Sequence, residues 1–121
     1  MEAFSDKSIK AIISNIGGED SILTLPFTDL SVIRQNPKIF LGFSDTTITH
    51  FAWYKAGLAS FYGTSLLIGF AENGGMHQYQ IDDIKRPFFS TASIGQIFPS
   101  ESGWTSESEY SGLERFIAPT Y

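Results

Sequence analysis

The chain of 121 residues has no cysteine, which excludes a disulfide scaffold and thiolate-ligated zinc. Basic residues are few: eight Lys and Arg stand against thirteen Asp and Glu, giving a net charge of −5, and they are scattered. A nucleic-acid backbone is bound largely through counterions released by clustered cations, so this balance argues against such a partner. No stretch approaches the roughly 18 apolar residues that cross a bilayer. The N-terminus, with Glu2 and Asp6, lacks the basic and apolar regions of a secretion signal. Internal repeats and low-complexity tracts are missing too. A soluble, cytoplasmic protein is expected, with no membrane or nucleic-acid partner. The apolar (42%) and aromatic (15%) content is ordinary for a globular domain, and the length suits one modest core.

What is present alternates between strand-like and helix-like segments. Ile9 to Ile16 is β-branched and apolar enough for a buried strand, ending at Gly17-Gly18. Glu19 to Leu25 suits a short helix, and Leu30 to Gln35 another, stopped by Asn36-Pro37. Ile39 to Leu41 is a short apolar strand. After it, Ile48, Phe51, Ala52 and Ala56 recur at i, i+3, i+4 and i+8, the spacing of an amphipathic helix closed by Gly57. Leu58 to Tyr62 is a third strand candidate. Leu66, Leu67, Ile68 and Phe70 read as buried, Ile81 to Phe89 as a short helix interrupted near Pro87, and Ile94 to Phe98 as a final strand. This order predicts an α/β fold, a partial parallel sheet flanked by helices, with ligands gathering at the carboxyl ends of the strands. Residues 1–98 form the α/β domain, and residues 99–121, rich in Ser, Glu, Gly and Tyr, read as a loop or linker.

The most informative stretch is Lys38 to Thr47, where a buried strand turns into a helix with Ser44 at the bend. In a Gly-x-Ser elbow the glycine, here Gly42, lets the backbone pass closely, and the turn lifts the hydroxyl toward the helix N-terminus. Unpaired amides there stabilise negative charge. Asp45 follows where the better-known pattern has a residue succeeded by a second glycine. The alternative reading is a helix cap, with the serine oxygen accepting a backbone amide.

Several ordered motifs then coincide: residues 16–21 (IGGEDS), 25–27 (LPF), 36–47 (NPKIFLGFSDTT), 54–58 (YKAGL) and 61–63 (FYG). Together they resemble the LD-carboxypeptidases, serine peptidases that trim murein peptides and that include the microcin C immunity peptidases. Residues 70–77 (FAENGGMH) and 104–107 (WTSE) look more like the immunity branch. The resemblance implies the nucleophile-bearing, Rossmann- or flavodoxin-like half of a two-domain serine peptidase that needs no metal or cofactor. It further implies that Ser44 is the nucleophile and that the Asp45 amide forms the oxyanion hole with one from the Gly17-Gly18 turn, Gly18 being preferred. Trp104 matches a loop near bound substrate, where a flat ring can stack on a nucleobase; a ring pinning the loop to the core is the other reading. Substrates would be murein peptides or peptide-nucleotides. Family members draw a Glu and a His from a C-terminal domain, which this chain ends before reaching, and neither His50 nor His77 matches that histidine. The isolated chain is therefore expected to be weakly active or inactive, awaiting a missing C-terminal domain or associating as a homo-oligomer.

Two further motifs carry weaker readings. Gly17-Gly18-Glu19-Asp20 matches the start of a cyclic-dinucleotide cyclase signature, but Ser21 stands where an aromatic belongs. Asp82-Asp83 near Glu72 is a conceivable cation site, though a solvated first helical turn accounts for it, with Asp82 and Arg86 as an i, i+4 pair. The reading of a different class is a non-catalytic α/β binding or interaction module that keeps the elbow for structural reasons.

Overall fold

The computed structural model describes residues 1–72 and 75–100. It divides into two compact units, Met1–Phe70 and Ala71–Tyr121. The first unit is the predicted partial α/β fold. A short helix α1 (Glu2–Ser5) precedes β1 (Ala11–Ile13), a 3₁₀ helix (Ser21–Phe27), α2 (Leu30–Gln35) and β2 (Ile39–Gly42). A 3₁₀ turn (Ser44–Thr46) leads into α3 (Thr47–Lys55), and β3 (Phe61–Tyr62) closes the sheet. All three strands are parallel in the order β1-β2-β3, with Ile12 opposite Phe40, and Gly42 opposite Tyr62. Helical segments therefore join each strand to the next, as the alternation predicted.

Each element has a local cause. Asp29 caps α2 by accepting the Ser31 and Val32 amides, and the Ser31 hydroxyl, followed by these amides, holds its carboxyl below the usual carboxylate range. Asn36 and Pro37 end that helix where expected. The core cluster is Ile33 from α2, Phe40 from β2, and Trp53 and Ala56 at the end of α3. The Phe40 and Trp53 rings lie 4.6 Å apart, and the indole N–H donates to the Lys38 carbonyl.

Several expectations are corrected. The first strand is shorter than Ile9 to Ile16, because after the Ser14 amide, which still donates to the Leu41 carbonyl, the chain leaves β2. The carbonyls of Ser14 and Asn15 instead accept the amides of Leu66 and Leu67. That contact uses the backbone of the 66–70 segment, so Leu66, Leu67, Ile68 and Phe70 are exposed rather than buried, and Ser65 and Gly69 are the buried residues there. The segment after Asp20 is a 3₁₀ rather than an α-helix and carries Pro26 within it. The buried stripe of α3 is also rotated. Ala52, Trp53 and Ala56 face the core, Trp53 at 2% exposure, whereas Phe51 is 59% exposed. The large indole, which the i, i+3, i+4, i+8 pattern left out, sets the face.

In the second unit, α4 (Gln78–Phe88) begins three residues before the expected start, with exposed His77 at its N-cap. Pro87 lies in the last turn, where it has no amide to offer the Asp83 carbonyl, and the helix ends one residue later. Asp82 and Asp83 therefore lie inside the helix and not in its first turn. Asp82 accepts from Gln78, and Arg86 pairs with Asp83 at 3.7 Å instead of with the Asp82 carboxylate. Residues 94–98 form no strand: they are exposed and have no ladder partner among the described residues.

Candidate active site

Strand β2 delivers the chain to the bend. Phe43 is extended, and Ser44 then adopts φ 60°, the single left-handed non-glycine residue described. That conformation costs about 1–2 kcal/mol for an L-residue, so the surroundings must hold it. Three side chains do so. The Ser44 amide donates to the Tyr62 hydroxyl (2.9 Å), the Thr47 hydroxyl donates to the Ser44 carbonyl (2.5 Å), and the Thr46 hydroxyl donates to the Phe43 carbonyl (2.7 Å). Ser44 itself is exposed, and its hydroxyl caps no helix amide among the described residues.

The glycines beside it are required by space. A Cβ on Gly42 would come within 2.7 Å of the Ser14 and Thr46 hydroxyls. A Cβ on Gly17 would come within 2.8 Å of both Cβ and Oγ of Ser44, and 3.5 Å from the Asp45 amide nitrogen. The Gly17-Gly18 turn therefore lies directly against the serine hydroxyl, as the placement of both segments at one sheet edge implied. Gly18 faces the Asp45 carboxylate, with Oδ2 3.5 Å from where its Cβ would stand. That same Oδ2 accepts the Ser21 amide at 2.9 Å, tying the glycine turn to the elbow. Neither the Asp45 amide nor those of Gly17 and Gly18 donate to any acceptor among the described residues. Trp104 lies outside the described residues.

His50 is engaged elsewhere. Its Nε2 faces the Gly42 carbonyl (3.1 Å), which requires the proton there, and Nδ1 then accepts from the Ser60 hydroxyl (2.8 Å). Burial pushes its pKa below the ordinary histidine value, against the opposing effect of the Gly42 carbonyl. It is thus a neutral, structural imidazole. Among the described residues no His, Asp or Glu is hydrogen-bonded to the Ser44 hydroxyl, and no cluster of three or more such residues could hold a metal. An apolar cavity of about 200 Å³ is lined by residues such as Phe4, Phe40 and Trp53, but not by Ser44, Gly17 or Asp45. The site is the open carboxyl edge of the sheet.

Tyr62 and Thr47 were not singled out from sequence. The available signal was Tyr62 at the carboxyl end of the strand beside the elbow strand, the edge where ligands gather in parallel sheets. The nearby Thr47 side chain and, after it, the Ser44 amide hold its phenol below the ordinary tyrosine range.

A sequence model described as the LD-carboxypeptidase N-terminal domain matches residues 1–63, from α1 through the elbow to the end of β3. The chain belongs to the LD-carboxypeptidase family. Within this family it is 44% identical over 73 residues to the "Microcin C7 self-immunity protein MccF" of Escherichia coli, covering 60% of this chain and 21% of that protein. It is 32% identical over 117 residues to the "Probable murein peptide carboxypeptidase" of Bacillus subtilis (strain 168), covering 96% of this chain and 33% of that protein. The chain thus spans between a fifth and a third of these relatives' lengths.

Proposed function

We propose that this LD-carboxypeptidase family chain provides the nucleophile half of a serine hydrolase acting on an amide bond. Ser44 Oγ attacks the carbonyl carbon while its proton passes to a general base. The carbonyl oxygen, now negative, is received by the amides of Asp45 and Gly18. The C–N bond then breaks, the amine leaves with the proton from the base, and water hydrolyses the resulting acyl-serine. The observation that carries this reading is the exposed serine held at φ 60° with unoccupied amides beside it.

The relatives named for microcin C7 immunity and for murein peptides support a peptide-derived substrate; for a peptide-nucleotide, Trp104 is the proposed stacking surface. Because no described group can act as base on Ser44, the Glu and His are supplied from outside these residues, and the isolated chain is weakly active or inactive. The same lack of a base favours the second reading, a non-catalytic binding module. A fluorophosphonate probe separates the two. Labelling that disappears in Ser44→Ala supports the activated serine; no labelling, even with a Glu- and His-bearing C-terminal domain from a family member added, supports the module.

A further inference from the structure

The register of the sheet places Tyr62 opposite Gly42, two residues before the elbow serine. Its hydroxyl receives the Ser44 amide, while the Thr47 hydroxyl, one helical step beyond the bend, donates to the Ser44 carbonyl. Both peptide groups flanking the one left-handed non-glycine residue described are thereby gripped by side chains of two other elements. Tyr62 is well exposed and could give its hydroxyl to water, but its ring is braced: His50 stacks 5.3 Å from it and is itself pinned to the Gly42 carbonyl.

We infer that Tyr62 and Thr47 are positioning residues that hold Ser44 in its left-handed conformation and so aim its hydroxyl at the reacting carbonyl. The aiming rests on the hydrolase reading above; the holding does not, and the two are measured separately.

In the full 121-residue chain, labelled with ¹⁵N, exchange of the Ser44 amide with water reports the clamp. Tyr62→Phe removes the acceptor without changing the ring, and Thr47→Val removes the hydroxyl that donates to the Ser44 carbonyl. Each is expected to speed Ser44 exchange about three- to tenfold, the scale of one lost hydrogen bond, and to weaken the strong intraresidue HN–Hα contact of a positive φ. Thr47→Ser restores both, and Tyr54→Phe, an exposed tyrosine elsewhere on α3, changes neither. Unchanged Ser44 exchange in Tyr62→Phe overturns the inference outright. In parallel, the rate of fluorophosphonate reaction at Ser44 is expected to fall about tenfold in Tyr62→Phe and Thr47→Val and to recover in Thr47→Ser. A wild-type chain that labels while Tyr62→Phe labels equally fast also overturns the inference. If the wild type does not label even with the added domain, the hydrolase reading fails, and the exchange result alone decides whether the clamp exists.

Discussion

At the scale of single residues, the elbow stores backbone strain and crowds its neighbours. Ser44→Gly relieves about 1–2 kcal/mol of left-handed cost and loses about 0.5–1 kcal/mol through the greater freedom of glycine when unfolded. A net gain near 1 kcal/mol in urea unfolding is expected, together with complete loss of serine labelling. This is the opposition of stability and activity that strained sites produce. Gly42→Ala would drive a methyl into the Ser14 and Thr46 hydroxyls, and we expect a loss of about 1–3 kcal/mol in the same measurement. Gly17→Ala meets Ser44 itself rather than the core. The expected outcome is a drop of about tenfold or more in probe labelling with a smaller change in unfolding midpoint, since Gly17 is only half-buried.

Among the elements, α3 separates what periodicity reveals from what packing decides. The limits of α2 and β2, and the bend at Ser44, were legible because proline, glycine and capping residues act within a few positions of themselves. The buried face of α3 was not, since four apolar positions fit a stripe that the indole of Trp53 then displaced. Trp53→Ala is expected to cost about 3–5 kcal/mol, and Phe51→Ala to stay within about 0.5 kcal/mol, both read from denaturant midpoints. The clamp on Ser44 was equally hidden. The FYG motif and the strand end mark the place of Tyr62 but give it no role, which follows only from the pairing that sets it opposite Gly42. The same holds for Asp45, which sequence singled out for its amide although its carboxylate also ties down the 17–21 turn through Ser21. Asp45→Ala should free that turn, seen as faster amide exchange at Ser21.

For the whole molecule, His50 links folding to pH. Its pKa is lowered by burial, so the unfolded chain binds the proton more readily than the folded one. The contribution of His50 to stability is therefore complete above the ordinary value of 6.5 and is lost as pH falls below it. The melting temperature is expected to drop between about pH 7.5 and 5.5, and the slope to flatten in His50→Gln. Asp6 and Asp29, whose pKa values are lowered by hydrogen bonds to Ser8 and Ser31, act in the same direction only at more acid pH. The hydroxyl that fixes the serine's backbone comes from a strand eighteen positions further along the chain. During synthesis, then, Ser44 emerges from the ribosome well before the group that holds its backbone. A nascent polypeptide paused short of residue 62 would lack the hydroxyl that receives the Ser44 amide, so the bend could not yet be held in its folded conformation.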